Sequence, residues 1–197
     1  MVGLHEVDAG EILYSGEDFT KLDFKERIPI RKEIGMLFQS SALFDSMNVE
    51  ENLLFPLNMF SDMSNSEKSD RVDFCLKRVN LDNVRKLAPS ELSGGMKRRI
   101  ALARTLILKP KIILYDEPTT GLDPITSKEI VLLMNSIQKQ YNTSSIIITH
   151  DVDCAKVIAN RMILLIDGKN YIEGTFDESD NGSIYAIWRN GANARRC

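Results

Sequence analysis

The second half of the chain alternates short apolar runs with segments of helical periodicity, and this alternation restricts the fold more than any other feature. The segments are, in order, a strand at Ile112 to Tyr115, a helix at Ser127 to Gln140, a strand at Ser145 to Thr149, a helix at Val152 to Ala159 and a strand at Met162 to Ile166. Strands that alternate with helices form βαβ units, in which successive strands run parallel. The sequence therefore predicts an α/β fold built on a parallel sheet.

The first part of the chain is less regular. Two apolar runs predict short strands, at Glu11 to Tyr14 before a Ser15-Gly16 turn and at Ile34 to Phe38. The piece between them, Phe19 to Glu33, predicts a largely helical segment that Pro29 disturbs, because proline lacks a backbone N–H and its ring crowds the preceding turn.

Residues 39–108 predict a mainly helical insert in this α/β core. Asn48 followed by Glu51 is a capping pattern that begins a helix. Apolar residues recur at helical spacing over 67–79 and again over 94–108, which predicts two further helices.

Charge and composition exclude several classes of protein. Apolar residues make up 43% and charged residues 27% of the 197 residues, the profile of an ordinary globular domain. With 25 basic and 28 acidic residues the net charge is −3, which gives no global reason to expect a nucleic-acid partner. The basic runs Lys97-Arg98-Arg99 and Arg195-Arg196 are interpreted as solvated faces.

Cysteine usage and apolar run length bear on the compartment. Cys75, Cys154 and Cys197 are scattered without metal-ligand spacing, which argues against a disulfide framework or a zinc site and is typical of a reducing cytosol. The longest apolar runs, such as Met162 to Ile166, are too short to cross a bilayer, and Met1 to Glu6 does not resemble a signal peptide. We therefore expect any role at a membrane to act through a partner.

Two acids, Asp116 and Glu117, follow a predicted buried strand directly. The carboxyl edge of a parallel sheet is where open α/β folds bind ligands. One carboxylate at this position can hold Mg²⁺ and the next can polarise an attacking water. The alternative is a strand followed by a charged helix cap, and this motif alone does not decide between them.

The tetrad Leu92-Ser93-Gly94-Gly95 opens a predicted helix. Ser93 is a good N-cap, and the two glycines leave backbone N–H groups exposed at the positive end of the helix dipole, where a phosphate can bind. The alternative is a glycine turn with a capping serine.

Two further polar residues end predicted strands. His150 follows Ser145 to Thr149 and can donate a hydrogen bond to a phosphoryl oxygen, although a lone histidine there is more often structural. Gln39 follows Ile34 to Phe38 and presents an amide that can contact a metal or its water, but it carries no weight alone.

The order of these motifs is more specific than any one of them. Along the chain come Gln39, Ser93-Gly94-Gly95, Asp116-Glu117, Gly121-Leu122-Asp123 and His150. This order resembles that of the ATP-binding-cassette (ABC) ATPases, whose Q-loop, signature, Walker B, D-loop and H-loop occur in the same succession, and it covers nearly the whole chain. Three longer stretches are similar to the ATPase subunit of Mla-type phospholipid transporters, also called organic-solvent-tolerance or MCE-associated systems: Phe38 to Val49, Pro89 to Arg99 and Gly121 to Thr126.

The resemblance implies a fold and a domain arrangement. The fold is a P-loop NTPase (RecA-like) core with a parallel sheet and an inserted helical subdomain. Residues 1–39 and 109–197 would form the α/β core of a single domain, and residues 40–108 the helical subdomain with the signature motif.

The resemblance also implies roles for the strand-end residues. Asp116 would hold Mg²⁺, and Glu117 would be the general base or would polarise the attacking water. His150 would contact the γ-phosphate of ATP, and Gln39 would bridge the metal, the attacking water and the coupling helix of a transmembrane partner.

The remaining implied roles need a second copy of the chain. Ser93, Gly94 and Gly95 would bind the γ-phosphate of ATP held by the opposite protomer, and Asp123 would communicate across that interface. The implied assembly is a homodimer of ATPase subunits on integral-membrane permease subunits, with an MCE-type substrate-binding protein. It would sit in the cytoplasm, peripheral on the inner face of the plasma (inner) membrane.

One motif of the family does not occur in the sequence. ABC ATPases carry G-x-x-x-x-G-K-[ST] near their start, whereas the one Gly-Lys pair here, Gly168-Lys169, lacks the upstream glycine, and the early aromatic that stacks on adenine is also absent. Met1 to Ile12 is similar to the segment after the helix that follows that loop. We therefore expect a start a few dozen residues late, without the first strands, with exposed sheet edges and reduced solubility. We also expect weak ATP binding or none by this chain alone, since that loop supplies most phosphate contacts.

Two other hypotheses stay open beside a transporter ATPase with a misplaced start or a gene fragment of one that starts at an internal Met. A degenerate, non-hydrolysing subunit would lend its signature motif to a partner, but it would have no need of Glu117 and His150. A soluble ABC protein of translation or DNA repair would usually carry two cassettes or a larger insertion between Gln39 and Ser93 than this chain has.

Overall fold

A six-stranded, largely parallel sheet organises the chain in the computed structural model, which describes residues 2–175 and 184–189. The strands are Leu13–Tyr14 (β1), Glu17–Asp18 (β2), Ile34–Leu37 (β3), Ile112–Asp116 (β4), Ser144–Thr149 (β5), Arg161–Ile166 (β6), Lys169–Thr175 (β7) and Ile184–Arg189 (β8). The helices are Arg27–Lys32 (α1), Val49–Phe60 (α2), Asn65–Arg78 (α3), Gly94–Leu106 (α4), Pro124–Tyr141 (α5) and Val152–Ile158 (α6), with a short 3-10 helix at Pro89–Glu91.

The sheet has the order β3-β4-β5-β8-β6-β7, and β1 pairs with β2 in a separate hairpin. The pairs β3–β4, β4–β5, β5–β8 and β6–β8 are parallel, and β7 runs antiparallel to β6. The predicted α/β fold with a parallel sheet is therefore confirmed. In the register, Leu37 lies opposite Tyr115 and Asp116 lies opposite Ile148, so β3, β4 and β5 end at one edge of the sheet.

Two strands of the sheet were not predicted. β7 is exposed along its whole length and lacks the apolar alternation of a half-buried strand. Its signal is the dipeptide Asp167-Gly168, where both residues have positive φ (49° and 75°) as a tight hairpin turn requires. β8 lies between β5 and β6 in the sheet. This position depends on pairing between segments that are distant in sequence, so local patterns do not predict it.

The helical prediction for Phe19 to Glu33 is wrong over most of its length, because only Arg27–Lys32 is α-helical. The Phe19 ring is buried at 1% exposure, and the Phe19 N–H donates to the Ile12 carbonyl beside the hairpin. The backbone N–H and hydroxyl of Thr20 both donate to Asp18 Oδ1. Such local side-chain bonds give the backbone an alternative to the helix.

Two of the three α-helices between β3 and β4, α2 and α4, begin at their predicted caps, Asn48 and Ser93. Asn48 Oδ1 accepts from Glu51 N at 2.9 Å and Glu51 Oε2 accepts from Asn48 N at 2.8 Å, a complete capping box for α2. Ser64 and Glu67 form a second capping box at the start of α3. The expected helices over 67–79 and 94–108 are confirmed as α3 and α4.

One buried cluster connects these helices to the sheet. It runs from Leu53 in α2 through Ile100 in α4 and Ile113 in β4 to Ile137 in α5, each at 2% exposure or less. At Gly35 in β3 a Cβ would lie 2.6 Å from Thr105 Cγ2 and 3.0 Å from Thr105 O, so glycine lets α4 pack directly on the strand. The subdomain boundaries 1–39, 40–108 and 109–197 stay a prediction.

Candidate functional site

The carboxyl ends of three parallel strands bring four predicted site residues to one edge of the sheet. Gln39 lies two residues beyond β3, Asp116 is the last residue of β4, and His150 follows β5. Glu117 is drawn to β5 because its N–H donates to the Ile148 carbonyl at 2.8 Å. We call these four residues the strand-end group.

Glu117 and His150 are in direct contact. His150 Nδ1 lies 2.9 Å from Glu117 Oε2, and Thr120 Oγ1 donates to the same oxygen at 3.1 Å. The Glu117 side chain is 16% exposed and that of His150 is 63% exposed. The Glu117 backbone has φ 47°, a left-handed conformation that non-glycine residues seldom adopt and that is common at functional sites. This backbone turns the carboxylate away from the strand direction and towards His150.

The contact changes the acid–base behaviour of the histidine. The hydrogen bond to Glu117 and then the Glu117 charge raise the pKa of His150, against the opposing effect of partial burial. A carboxylate held by an imidazole at a sheet edge can accept a proton from a bound water. With Nδ1 engaged by Glu117, Nε2 is the ring nitrogen left to contact a ligand, and it can donate a hydrogen bond when the imidazole is protonated.

Asp116 and Gln39 are oxygen donors of the kind that Mg²⁺ uses. Asp116 is half-buried and Gln39 is exposed. Among the described residues, no cluster of three or more His, Cys, Asp or Glu side chains could hold a metal ion. Mg²⁺ usually keeps several waters and binds through one or two carboxylates and substrate phosphates, so these two residues fit it only together with a phosphate ligand.

Asp151 supports the strand-end group and was missed by the sequence interpretation. Its Oδ1 accepts from Cys154 N at 3.0 Å at the start of α6, and its Oδ2 accepts from Thr119 Oγ1 at 3.2 Å. Its own N–H donates to Thr149 Oγ1. Asp151 therefore joins the segment after β4 to the segment after β5. The sequence signal that could have identified Asp151 is its position directly before a predicted helix, where aspartate is a favoured N-cap.

The signature residues lie at the start of α4. Ser93 is the N-cap, and its Oγ accepts from Met96 N at 3.2 Å. A Cβ on Gly95 would lie 2.7 Å from Thr126 Cγ2, whereas a Cβ on Gly94 would meet only Leu122 Cδ2 at 3.7 Å. Gly95 therefore has a packing reason to be glycine, while Gly94 is exposed with room for a side chain.

Asp123 lies beside this helix start. Its Oδ1 accepts from Ile125 N at 3.1 Å and from Thr126 N at 3.0 Å, which makes it the N-cap of α5. These hydrogen bonds, led by those from Thr126, lower the pKa of Asp123. Because Thr126 also faces Gly95, the starts of α4 and α5 form one exposed surface. We call Ser93, Gly94, Gly95 and Asp123 on this surface the helix-start group.

Arg98 was expected on a solvated face, and the structure contradicts this. Its residue is 3% exposed because α4 carries it beneath the strand-end group. One guanidinium nitrogen donates to the Phe38 carbonyl at 2.7 Å and the other to the Thr120 carbonyl at 3.2 Å. Burial lowers the pKa of Arg98. A three-residue basic run contains no signal that one member turns inward.

The fold and the strand-end group define a nucleotide-binding class of α/β protein, and comparison with known proteins identifies the family. The model of the family described as ABC transporter matches residues 1–120, which is more than half of the chain. The chain belongs to the ABC transporter family, as the order of its motifs predicted.

Relatives with curated descriptions include Mla proteins, in agreement with the predicted resemblance. The intermembrane phospholipid transport system ATP-binding protein MlaF of Haemophilus influenzae is 39% identical over 171 residues, covering 87% of this chain and 65% of that protein. The methionine import ATP-binding protein MetN of Rhizobium johnstonii is 37% identical over 172 residues, covering 87% of this chain and 47% of that protein. The chain thus spans between about half and two thirds of these relatives.

Solved structures of ABC cassettes share the fold. The dimeric post-hydrolysis structure of the ATP-binding cassette MJ0796, bound to ADP and Pi, aligns with TM-score 0.79 at 32% identity, covering 88% of this chain and 76% of that one. CbiO1 of Clostridium perfringens, described as part of the ABC transporter complex cbiONQ, aligns with TM-score 0.81 at 29% identity, covering 89% and 69%.

Proposed function

We propose that this protein is the ATP-hydrolysing subunit of an ABC transporter. The observation that carries the proposal is the Glu117–His150 contact of 2.9 Å at the edge of the sheet where Asp116 ends its strand. Membership of the ABC transporter family supports it. A non-hydrolysing subunit would not require a carboxylate and an imidazole held together at this edge.

The strand-end group suits the proposed reaction residue by residue. Asp116 and Gln39 would hold Mg²⁺, which supplies charge neutralisation for the phosphates when bound. The Glu117 carboxylate, whose Oε2 is held in place by Thr120 and His150, would take or polarise the proton of the attacking water. The raised pKa of His150 increases the imidazolium fraction near neutral pH, so both ring N–H groups can donate. One would hold Glu117 and the other would donate to a γ-phosphate oxygen.

The helix-start group suits a composite site made by two copies of the chain. Ser93, Gly94 and Gly95 present backbone N–H groups at the positive end of α4, and Gly94 leaves space for close approach. We propose that they bind the γ-phosphate of ATP held by the opposite copy, and that Asp123 communicates between copies. The dimeric MJ0796 cassette supports this arrangement.

A membrane permease is the proposed second partner. An apolar groove of about 400 Å³ lies beside the end of β3 and includes Phe38, Phe44, Phe55 and Phe60. Among the described residues no helix could span a bilayer. The cbiO1 structure, described as part of a transporter complex, supports such a partner. The subunit would then lie on the cytoplasmic face of the inner membrane, with an MCE-type protein as a further component.

Phospholipid is the proposed cargo, supported by the MlaF relatives. The MetN relatives are methionine importers by name, so methionine is the alternative cargo that the experiment should compare with phospholipid. Vesicles that contain the cognate permease, with the whole protein and ATP, should move a fluorescent phospholipid between membranes. Movement of labelled methionine instead would overturn the lipid assignment without affecting the ATPase.

The ATPase proposal is tested on the protein at the length its gene encodes. Phosphate release from ATP should require Mg²⁺ and stop on addition of EDTA. If the protein with its permease releases no phosphate at saturating Mg-ATP, the proposed function fails.

We propose separately that residues 1–197 alone bind Mg-ATP weakly, because they do not include the sequence G-x-x-x-x-G-K-[ST]. The backbone N–H groups and lysine of that loop supply most phosphate contacts in such sites. Calorimetry on the 197-residue polypeptide measures this, and a micromolar dissociation constant would contradict it.

A further inference from the structure

Arg98 is a buried cation whose two defined hydrogen bonds go to main-chain carbonyls. They accept at 2.7 Å (Phe38) and 3.2 Å (Thr120), and no ion pair to Arg98 is found among the described residues. Its Nε is buried without a hydrogen-bond partner there. Burying a guanidinium without a carboxylate partner is unfavourable. An apolar side chain would fill the same volume without this desolvation penalty, so packing alone does not explain Arg98.

The two carbonyls belong to two of the three segments that carry the strand-end group, those after β3 and β4. Phe38 immediately precedes Gln39, and Thr120 donates its hydroxyl to Glu117 Oε2. The pairing of Leu37 with Tyr115 brings the starts of these two loops together. Beyond the paired strands, one rigid, planar guanidinium bonds both loops, so a single side chain spans the gap between the Gln39 loop and the Glu117 loop.

The same side chain belongs to the helix that carries the signature residues. Arg98 lies five positions beyond Ser93 in α4, in one continuous hydrogen-bonded helix. A second arginine of α4, Arg104, donates to the Ser41 carbonyl at 3.1 Å, so this helix holds the Gln39 segment on both sides. A shift of the Ser93 end of α4 would therefore move the Gln39 and Glu117 loops with it.

We propose that Arg98 is a positioning residue that fixes Gln39 relative to Glu117 and links both to the Ser93 end of α4. The proposal rests on the proposed ATPase function for its catalytic consequence, but its structural part is independent of that function. Arg98 itself contacts no reacting atom in this assignment.

Arg71 provides a matched control within the same chain. It also donates to two main-chain carbonyls, Ile107 at 3.0 Å and Leu106 at 2.7 Å, but at the opposite end of α4 from Ser93. Replacing Arg71 by Met removes the same kind of double hydrogen bond without touching the strand-end loops. The comparison separates lost helix anchoring from lost positioning.

The first arm of the test measures Mg-ATP hydrolysis by the protein at the length its gene encodes. Arg98→Met should lower kcat by about 100-fold with KM little changed, since small misplacements of reacting groups have effects of this size. Arg98→Lys, which can still donate to one carbonyl, should fall between Met and wild type. Arg71→Met should leave kcat within about twofold.

The second arm needs no nucleotide. Hydrogen–deuterium exchange is measured at one backbone amide in each loop. The Ser41 N–H donates to the Phe38 carbonyl, and the Leu122 N–H donates to the Thr119 carbonyl. Arg98→Met should speed exchange of both by about tenfold, the factor expected for losing a hydrogen bond to a charged group. Arg71→Met should leave both unchanged.

The outcomes separate the two proposals. If the wild-type protein hydrolyses no ATP, the proposed function fails and the exchange arm alone decides the role of Arg98. Unchanged exchange in either loop of Arg98→Met overturns the proposal, and so do equal effects of the Arg98 and Arg71 variants. If Arg98→Met does not fold, Arg98→Lys is measured in both arms and must show intermediate changes in both loops.

Discussion

The helical segment between β3 and β4 and the strand-end group are built in opposite ways. In the helical segment the helices α2, α3 and α4 have side-chain N-caps, and Leu53, Leu57 and Ile100 are fully buried. In the strand-end group the polar side chains are at least partly exposed. The first region depends on local sequence and apolar burial, and the second on contacts between distant loops.

Left-handed backbone occurs beside the strand-end group and also within the helical segment, where Asn80 and Asn83 have φ angles of 55° and 61°. Ser41 and Ala42 beyond β3 and Glu117 beyond β4 all have left-handed φ angles, at 65°, 46° and 47°. Each such residue costs of order 1–3 kcal/mol and persists only where the surroundings hold it. Here the surroundings include the Glu117 N–H bond to Ile148 and the Arg104 bond to the Ser41 carbonyl. Substitutions of caps and packed residues in the helical segment should therefore act mainly on stability, and substitutions in the strand-end group mainly on rate. Arg98 of α4 is the expected exception, because it bonds two strand-end loops.

The largest expected effect is on rate. In the whole protein, Glu117→Gln should lower kcat for ATP hydrolysis by about 10²–10⁴-fold, because an amide does not accept a proton as a carboxylate does. The free energy of unfolding should change little. Glu129→Gln is the matched control, since it makes the same change at an exposed carboxylate of α5 that pairs with Arg99 of α4. Equal rates for the two variants would show that the strand-end group is not the reaction centre.

A smaller effect, on stability, tests the packing of α4 of the helical segment against the start of α5. Gly95→Ala should destabilise the chain by about 1–3 kcal/mol, because its Cβ would lie 2.7 Å from Thr126 Cγ2. Gly94→Ala, with its nearest neighbour at 3.7 Å, is the control and should be close to neutral. Thr126→Ser removes the clashing methyl and should restore the stability of Gly95→Ala in urea unfolding. Failure of this rescue would mean that Gly95 is required for a reason other than packing.

A helix cap gives the corresponding test of the helical segment. Asn48→Ala removes the acceptor for Glu51 N and should cost about 1 kcal/mol of unfolding free energy. It should leave kcat unchanged at a temperature where the protein is folded. Asn65→Ala, the same change just inside α3, is the control. A fall in kcat for Asn48→Ala would show that the two regions are not independent.

The smallest effect is a change in titration. Nuclear magnetic resonance should give a pKa for His150 above the ordinary value of 6.5, and Glu117→Gln should lower it. Because the folded-state pKa is raised, the contact stabilises the fold most fully below about pH 6.5 and loses this contribution as pH rises through the His150 pKa. A His150→Gln variant assigns the resonance. An unaltered titration in Glu117→Gln would mean that the 2.9 Å contact is not formed in solution.

How far the sequence could predict the molecule depends on how local each signal is. The caps at Asn48 and Ser93 and the strand before Asp116 follow from short patterns, and they agree with the structure. The left-handed backbone of Glu117 and the role of Asp151 in joining two loops could not be predicted, because both depend on the parallel pairing of β4 with β5. Residues 19–26 were mispredicted because local turns around Asp18 compete with the helix.

By itself the sequence determined the alternation of strands and helices, the order of the motifs and hence the family, because these are patterns of residue type along the chain. Only the tertiary structure decided that His150 contacts Glu117, that Gly95 faces Thr126, and that Arg98 is buried between two loops. Each of these depends on the distance between atoms far apart in sequence. Those distances are set by the strand register and by the packing of α4 on β3, which residue order alone does not specify.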